Sequence, residues 1–366
     1  MKNTFGTSVS ITLFGESHGP EIGAVLDGLA PGISVDEEFI ASQLSLRRPS
    51  GSISTARQEQ DRFRIISGVF NGKTTGTPLC ILIPNSDTKS RDYSSTRALA
   101  RPGHADYTAY CKYHGCEDYR GGGHFSGRIT AALVAAGAIV IPALNKKGIY
   151  IGTHISRCAG IADRGFGCIE DDIKALSSKQ FGVLDDGVGE RMRAEIEKAA
   201  SDRDSVGGIL ETAVTGLPAG VGEPWFDSVE GLISHAVFSV PAVKGIEFGA
   251  GFEMADMRGS ESNDPFYVDA DGVKTRTNNN GGINGGITNG MPVIFRCVIK
   301  PTPSIYKTQE TVDFINGENA PIEIQGRHDP AIIHRARVVI DSVTALVIAD
   351  LLTGRFGTDY LTAEEN

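Results

Sequence analysis

The stretch Arg128–Leu144 reads R-I-T-A-A-L-V-A-A-G-A-I-V-I-P-A-L and consists almost entirely of apolar residues. A helix at a protein surface needs a polar face toward water, so a helix this apolar is predicted to lie in the core. A second helix of this kind is predicted over Ala331–Leu352. These two segments indicate a core that forms around two buried helices.

Strand signals precede each of the buried helices. Alternation of apolar and polar residues predicts a strand over Ser8–Phe14, which pairs with Ile22–Leu26. Asn71-Gly72 is a hairpin signal between strands predicted over Arg64–Phe70 and Leu79–Ile83. The second half is predicted to contain strands near Val206–Thr215, Ile246–Phe252 and Val293–Ile299, and helices near Glu190–Ala200 and Ser228–Phe238.

Two further segments have local signals of their own. Ser34 and Glu37 form the S-x-x-E pattern of a capping box, which predicts a helix that is capped by Ser34 and runs to about Leu46. Asp256–Asn289 contains the run T-N-N-N-G-G-I-N-G-G-I-T-N-G. This composition predicts a long loop, of the kind that often serves as a lid in enzymes.

The two halves of the chain resemble each other weakly. Gly28–Ile33 (G-L-A-P-G-I) is similar to Gly216–Val221 (G-L-P-A-G-V), and the G-V-F-N-G run from Gly68 is similar to the G-I-N-G run from Gly282. Gly-rich turns also match by chance, so duplication and coincidence both stay open. A duplication predicts two similar sheets with apolar helices between them. No Pro-rich or charged linker separates the halves, so residues 1–366 are predicted to form a single domain.

Composition limits the partners and the compartment. The formal net charge of -10 argues against nucleic acid or a membrane surface as a partner. No apolar run reaches the roughly 18 residues of a spanning helix, and the first residues lack the apolar core of a signal peptide. Cys111 and Cys116 flank His114, but no second pair completes four metal ligands. We therefore predict a cytoplasmic protein with free thiols and no metal site.

The densest group of reactive side chains lies between Arg101 and Arg128, and it includes three histidines and the run Gly121–Gly123. Glycine lets backbone N–H groups approach an anion, arginine binds phosphate and carboxylate, and histidine transfers protons near neutral pH. Asp106, two residues after His104, is placed either to fix the tautomer of His104 or to raise its pKa, although a structural turn would also account for this pair. Glycines before a helix also suit a phosphate, although a tight turn would need the same residues. The pattern predicts a pocket for a polyanionic small molecule that gains or loses a proton.

Four other positions have two interpretations each. His18, in F-G-E-S-H-G, follows the first strand and is either a proton donor or a surface turn residue. Arg47-Arg48 and Lys300–Ser304 either bind anions or belong to ordinary solvated segments. Asp329 precedes the second buried helix and is either its cap or a base that Arg327 and the helix dipole keep ionised.

The motifs, in their order, resemble the chorismate synthase family. The resemblance rests on F-G-E-S-H-G, R-P-G-H-A-D, D-Y-R-G-G-G, G-E-P-W-F-D, N-G-G-I-N-G-G-I-T-N-G-M-P, K-P-T-P-S-I and G-R-H-D-P, and it extends over essentially the whole chain. It implies that 5-enolpyruvylshikimate 3-phosphate loses phosphate and a ring hydrogen by 1,4-anti elimination to give chorismate, with reduced FMN lending charge transiently to the breaking C–O bond. It also implies an α+β fold, a β-α-β sandwich in which two antiparallel sheets enclose central helices, and a homotetramer.

The resemblance further implies roles for individual residues. His18 would protonate the departing phosphate, His104 would hold the reduced flavin in its working protonation state, and Asp329 would assist proton removal through flavin N5. The residues implied in substrate binding are Ser17, Arg47, Arg48, Arg101, Arg128 and Arg327. The residues implied in FMN binding are His124, Phe125, Ser126, Pro241, Ala242, Gly285, Lys300, Pro301, Thr302, Pro303, Ser304 and Arg327.

Two positions depart from the family pattern. His124 and Phe125 stand where the family commonly has Arg and Ser, so the flavin contacts there stay open. Ile53 stands near the place of a basic residue, which Arg57 is a candidate to replace. The competing classes are an NAD(P)H-consuming flavin oxidoreductase and a non-catalytic flavin- or phosphate-binding protein. Whether the chain reduces its own flavin, with NADPH as the reductant, or depends on an external reductase is also open.

Overall fold

The computed structural model describes residues 2–49, 51, 53–54, 60–86, 97–270, 272–324 and 328–362. The strands are β1 (Thr4–Phe5), β2 (Ser10–Gly15), β3 (Glu21–Asp27), β4 (Arg64–Ser67), β5 (Val69–Phe70), β6 (Lys73–Thr74), β7 (Leu79–Pro84), β8 (Tyr150–Cys158), β9 (Ile161–Ala162), β10 (Gly208–Thr215), β11 (Val243–Phe248), β12 (Phe266–Asp269), β13 (Gly272–Thr275), β14 (Ile283–Asn284), β15 (Ile287–Thr288), β16 (Val293–Ile299), β17 (Gln309–Asp313) and β18 (Glu318–Ile322). The α-helices are α1 (Glu37–Arg47), α2 (Asp106–Tyr113), α3 (Thr130–Lys146), α4 (Ile169–Leu176), α5 (Asp186–Ser201), α6 (Val229–Ser239), α7 (Gly259–Ser262) and α8 (Ile333–Phe356).

Most of the longer strands belong to two five-stranded antiparallel sheets. The first sheet has the order β1-β2-β3-β7-β4, and the second has the order β11-β16-β10-β8-β9. Helix α3 packs on β2, β3 and β7 of the first sheet, and helix α8 packs on β8 and β10 of the second. The two helices also pack on each other. The predicted α+β class is confirmed.

Both predicted core helices are present. Arg128–Leu144 forms part of a 3₁₀ turn followed by most of α3, in which every residue from Ala131 to Val140 is buried. Ala331–Leu352 forms most of α8, in which every residue from Ala336 to Thr353 is buried. The segment Gly127–Lys146 is long and apolar enough to cross a membrane, but 83% of its apolar window is buried inside the protein. Its composition therefore reflects its place in the core.

The two halves repeat one order of elements. In the first half β2, β3, α1, β4, β7 and α3 follow one another, and in the second half β8, β10, α6, β11, β16 and α8 do so. Each half also contains a short hairpin with one bridging threonine. The Thr74 hydroxyl bridges residues 30 and 33 at 2.6 and 2.9 Å, and the Thr288 hydroxyl bridges residues 218 and 221 at 2.7 and 3.0 Å. These bonds join the segments whose similarity suggested a duplication.

The predicted cap of α1 is wrong. The helix begins at Glu37, and its N-cap is Asp36, whose carboxylate accepts the N–H of Phe39 at 2.9 Å. Ser34 lies two residues earlier, where its backbone forms a β-bridge with Lys73. Because this pairing keeps the chain extended at Ser34, the helix starts later, at a residue that caps equally well.

The segment Asp256–Asn289 is not a single long loop. It contains α7 and the hairpins β12–β13 and β14–β15. The buried Asp264 carboxylate accepts hydrogen bonds from the hydroxyl of Thr277 and the backbone N–H groups of Asn279 and Asn280, at 2.7 to 2.8 Å. One carboxylate therefore organises the Asn-rich part, which composition alone predicts to be irregular.

The beginning of the chain is attached to the last helix. The Asp350 carboxylate, on α8, accepts the backbone N–H groups of Thr7, Ser8 and Val9 at distances between 2.6 and 3.1 Å. Hydrogen bonds from three consecutive N–H groups to a carboxylate are among the stronger hydrogen bonds in proteins. The entry to β2 is thereby fixed against α8.

Candidate active site

A cavity of about 860 Å³ brings together residues from both halves of the chain. The end of α1, the turn before α3, the end of α6, the loop after β16 and the start of α8 contribute to its wall. It is lined by most of the predicted site residues: Arg47, Arg48, His104, His124, Phe125, Ser126, Arg128, Pro241, Ala242, Lys300, Thr302, Pro303, Ser304 and Asp329. The predicted site residues that do not line it are Ser17, His18, Arg101, Gly285 and Pro301. Arg327 and Arg57 lie outside the described residues.

The charge of the cavity is opposite to that of the chain. The whole chain has a formal net charge of -10. The described residues of the cavity wall include seven lysine and arginine residues but only two aspartates, Asp61 and Asp329. A cleft lined by one sign of charge concentrates ligands of the opposite sign. The cavity therefore suits a ligand with several negative charges.

The glycine run supports two histidines. Gly121, Gly122 and Gly123 have φ angles of 59°, 84° and 52°, in a 3₁₀ turn that precedes α3. A Cβ atom on Gly121 would overlap the ring of His18, and one on Gly122 would lie 3.0 Å from Cε1 of His104. The glycines thus permit a left-handed backbone and let two imidazoles lie directly on the main chain. This turn brings the two predicted acid–base residues together.

His104 belongs to a compact group with Arg101 and Asp106. Its Nδ1 lies 2.9 Å from Oδ1 of Asp106 and 3.0 Å from a terminal nitrogen of Arg101. Arg101 also binds the Asp106 carboxylate through two of its nitrogens, at 2.7 and 2.8 Å. Burial raises the pKa of Asp106, but hydrogen bonds from Arg101 and His104 outweigh burial and hold that pKa well below its usual range. Asp106 thus lies within hydrogen-bond distance of Nδ1 of His104, while Arg101 already has an anionic partner.

Arg47 and Arg128 share a buried carboxylate. Asp61 accepts a hydrogen bond from Arg47 at 3.3 Å and a second, very short one from Arg128. Arg128 also donates to the side-chain oxygen of Asn85 at 2.8 Å, and Asn85 in turn donates to the carbonyl oxygen of Glu16 at 3.0 Å. The two arginines are therefore held in one network with the F-G-E-S-H-G segment.

Asp329 is not the cap of α8. The N-cap position is Ile332, and no side chain caps the helix there. The Asp329 carboxylate instead forms an ion pair with Arg335, from the first turn of α8. Both side chains line the cavity and are largely buried. Asn at position 329 would keep a hydrogen-bond acceptor for Arg335 but lose the charge.

The loop after β16 supplies cationic and hydroxyl groups. The ammonium group of Lys300 donates to the carbonyl oxygen of Gly103, next to His104. Burial, together with the charge of Lys244, lowers the pKa of Lys300. The hydroxyl of Thr302 is buried and makes no hydrogen bond within the described part of the chain. This wall of the cavity can hold a phosphate group.

Two residues predicted to bind the cofactor, His124 and Gly285, lie in different parts of the structure. His124 lines the cavity, and its Nδ1 donates to the carbonyl oxygen of Gly15, at the end of β2, at 2.8 Å. Gly285 lies in the turn of the β14–β15 hairpin with φ 62°, at the position that corresponds to Asn71 in the first half. The structure therefore brings His124, but not Gly285, to the cavity.

Three residues of the site lack a local sequence signal. Asp61 follows a polar stretch, Asn85 comes directly after β7, and Arg335 lies six residues after Asp329. Each pairs with a site residue across a turn or between elements. Arg335 has the nearest sequence clue, since it lies in the first turn of a helix that begins after an acidic residue.

Known proteins share both the sequence and the fold. The family model for chorismate synthase matches residues 9–353. The chorismate synthase of Pyrococcus abyssi is 46% identical over 96% of this chain and 97% of its own length. That of Dehalococcoides mccartyi is 44% identical over 96% of each chain. The chain belongs to the chorismate synthase family.

A solved chorismate synthase supports the same assignment. Its crystal structure superposes with a TM-score of 0.77 at 27% identity, covering 98% of this chain and 95% of that one. The resemblance predicted from the motifs is confirmed. The enzyme is a lyase of the shikimate pathway, and its reaction removes phosphate from 5-enolpyruvylshikimate 3-phosphate to give chorismate.

Proposed function

We propose that the 860 Å³ cavity is the active site and that it holds the enolpyruvyl substrate beside reduced FMN. The observation that carries the proposal is the cationic lining of this cavity in an acidic protein, with His104 and Asp329 in the same wall. The substrate has a phosphate and two carboxylates, which match such a lining.

The residues of the loop after β16 fit the phosphate of FMN. Thr302 offers a buried hydroxyl that lacks a hydrogen bond among the described residues, and Lys300 and Lys244 offer positive charge. Pro241, Ala242 and Phe125 line the same cavity and supply apolar surface for a planar ring. When bound, reduced FMN supplies electron density to the C–O bond that breaks. We assign to His104, whose Nδ1 lies 2.9 Å from Oδ1 of Asp106, the role of holding the reduced flavin in its working protonation state.

The arginines and His18 are assigned to the anionic groups of the substrate. Arg47, Arg48 and Arg128 line the cavity and are assigned to anionic oxygens of the substrate, and Ser17 offers a buried hydroxyl without a hydrogen bond in the described residues. His18 is assigned the proton donated to the phosphate as the C–O bond breaks. The roles of Arg101 and Arg327 in substrate binding stay predictions.

The second proton transfer is assigned to Asp329. The ring C–H bond breaks and its electrons form a new C=C bond, the C=C bond already in the ring shifts by one position, and the phosphate leaves with the electrons of the C–O bond. Asp329 would assist the removal of the ring proton, which the family resemblance routes through flavin N5, and the ion pair with Arg335 stabilises the ionised form of Asp329. The elimination has no net oxidation, so the cofactor is regenerated in each turnover.

The decisive experiment is an anaerobic incubation with the enolpyruvyl substrate and chemically reduced FMN. We expect equimolar chorismate and phosphate without stoichiometric flavin oxidation. Stoichiometric NAD(P)H consumption with each turnover would indicate an oxidoreductase, and binding without phosphate release would indicate a non-catalytic protein. Repeating the assay with oxidised FMN and NADPH tests whether the chain reduces its own flavin.

We also propose a cytoplasmic homotetramer whose two sheets enclose α3 and α8 as a β-α-β sandwich. The packing of α3 mainly on the first sheet and of α8 on the second supports the sandwich, and six free cysteines support a reducing compartment. Trp225, Phe226 and Phe252 are 86%, 94% and 80% exposed. Large exposed aromatics are typical of association surfaces, and light scattering of the purified protein tests the tetramer.

A further inference from the structure

His124 is held in one tautomer by the end of β2. Its Nδ1 lies 2.8 Å from the carbonyl oxygen of Gly15. A carbonyl oxygen only accepts hydrogen bonds, so the proton of this bond belongs to Nδ1. In a neutral imidazole the other ring nitrogen then carries a lone pair and acts as an acceptor. The bond to Gly15 therefore makes Nε2 the nitrogen of His124 that can gain a proton.

The turn around His124 fixes the position of the ring. The carbonyl oxygen of Gly123, the preceding residue, accepts the N–H of Ser17 at 3.0 Å. A Cβ atom on Gly123 would lie 2.0 Å from the carbonyl oxygen of Asp118, so the turn closes without space for a side chain there. The turn is thus attached to the end of β2 and to the segment after it at two points. A rotation that exchanged the two ring nitrogens would break the bond to Gly15.

Nε2 of His124 remains for a ligand. The half-buried ring lines the 860 Å³ cavity. Within the part of the chain that the structure describes, its hydrogen bond is the one from Nδ1 to Gly15. The lone pair on Nε2 repels the oxygens of a fully ionised phosphate, because those oxygens are acceptors as well. Such a phosphate can bind at Nε2 only together with a proton, and the bond is then charge-assisted.

The charges near His124 come from several segments. Strand β2 contributes no charged side chain. The charged and titratable side chains around the turn are Glu16 after β2, His18 and His104 against Gly121 and Gly122, Asp118 paired with Arg120, and Arg128 paired with Asp61. An opposite charge within about 4–6 Å favours the charged form of a titratable group. A phosphate dianion in contact with Nε2 would therefore favour the imidazolium form of His124.

We propose that His124 is a proton-linked phosphate contact of the active site, whose Nε2 takes up one proton from solvent when a phosphate monoester binds and releases it when the phosphate leaves. This inference rests on the proposed function, and its chemistry fits the phosphate of either FMN or the substrate. A histidine that only ties the turn to β2 would bind no proton with the ligand. Proton uptake therefore separates the two roles.

The test counts protons by isothermal titration calorimetry of the full-length protein. FMN, and separately the substrate without flavin, are titrated at about pH 7.5, where a phosphate monoester is largely ionised. Two buffers with different ionisation enthalpies give the number of protons bound with each ligand. His124→Gln keeps an amide that can donate to Gly15 but has no nitrogen that gains a proton. With one of the two ligands, the wild type should take up more protons than this variant, by up to one. The ligand that shows the difference identifies the phosphate.

Two controls accompany these titrations. Riboflavin, which lacks the phosphate, should show no difference in proton uptake between the wild type and His124→Gln. His114→Asn is the matched variant, because His114 is an exposed histidine at the end of α2 that does not line the cavity. Its φ of 58° is one that Asn tolerates. Its proton uptake should equal that of the wild type with both phosphate ligands.

His124→Arg gives an independent readout. Arginine stays charged at every working pH and binds phosphate without taking up a proton. Coupling of one proton to binding changes affinity by at most about tenfold per pH unit. From about pH 7 to pH 9, the affinity of the wild type for the phosphate ligand should therefore fall relative to that of His124→Arg, by up to about tenfold per pH unit. Parallel pH dependence in the two proteins would contradict the proposal.

Equal proton uptake in the wild type and His124→Gln with both FMN and the substrate would overturn the proposal and leave His124 a structural tie. A measurement on the wild type avoids dependence on the folding of the variants. In ¹⁵N spectra of the histidine-labelled protein, one ring should change from the neutral form with a proton on Nδ1 to the doubly protonated form when the ligand binds. The lack of such a ring would also refute the proposal. Because these readouts need no chorismate formation, failure of the elimination assay would refute the proposed function and leave the result for His124 separate.

Discussion

Gly121→Ala tests whether the glycine turn places His18 for catalysis. Gly121 has φ 59°, and the added methyl group would overlap the His18 ring. Restoring an ordinary carbon–carbon separation of about 3.5 Å requires the ring to move by roughly 1 Å. A displacement of that size costs on the order of 10²-fold in rate, or about 2.7 kcal/mol of activation free energy. The left-handed backbone adds about 1–2 kcal/mol of strain to the folded state.

The matched control is Gly148→Ala, which has φ 69° and no atom within 4 Å of the new Cβ. Gly121→Ala should lose at least as much stability in thermal denaturation as Gly148→Ala, because both place Ala in the left-handed region and the new methyl group at position 121 also meets the His18 ring. Only Gly121→Ala should lose kcat, measured as anaerobic chorismate formation with reduced FMN. If the two variants turn over equally fast, the position of His18 over the glycine turn does not matter for the reaction.

Three further outcomes are expected. Asp329→Asn should keep FMN affinity and melting temperature near wild type but lose turnover by roughly 10²- to 10⁴-fold; early melting with normal turnover would show a structural role. Arg47→Ala should raise the substrate Kd strongly in a direct titration, whereas the exposed Arg62 should tolerate Ala with little change; the reverse order would place the anion site elsewhere. Burial lowers the pKa of His154, but the carboxylates of Asp163, at 3.5 Å, and Glu211, which makes a hydrogen bond at 2.9 Å, outweigh burial and raise that pKa. The contribution of protonated His154 to the free energy of unfolding is therefore fully present below the unfolded pKa of about 6.5, and it is lost as pH rises through the folded pKa. In urea denaturation, the difference in the free energy of unfolding between the wild type and His154→Gln should be larger at pH 6 than at pH 9. A constant difference would contradict this assignment.

Composition alone predicts the two core helices, because most of their residues are apolar. Strand β8 has no such signal, although it pairs with β10 from Tyr150 to Cys158 with one irregularity in register. Two of its buried residues are polar: Thr153 bonds to Thr212 at 2.8 Å, and His154 bonds to Glu211 at 2.9 Å. Because polar side chains satisfy one another across the sheet, the apolar alternation that reveals a strand is missing.

In the candidate active site, too, local sequence patterns predict some features and miss others. Clustered Gly, His and Arg residues predict the glycine turn and its histidines, since their local chemistry is distinctive. The pairing of Asp61 with Arg47 and Arg128 spans 14 and 67 residues of sequence. Such pairs depend on how separate elements meet, which no local pattern records. The resemblance to a known family supplied most of the remaining site residues.

The attachment of the chain start to α8 has a consequence for biosynthesis. Thr7 and Asp350 are 343 residues apart, and ribosomes add about 5–20 residues per second. Roughly 20–70 seconds of translation therefore separate the two partners. From the synthesis of α3 to that of α8 the apolar surface of α3 that meets α8 stays open, and the second sheet, once β16 is made, still lacks α8. The nascent enzyme should thus depend on chaperones until its last helix leaves the ribosome.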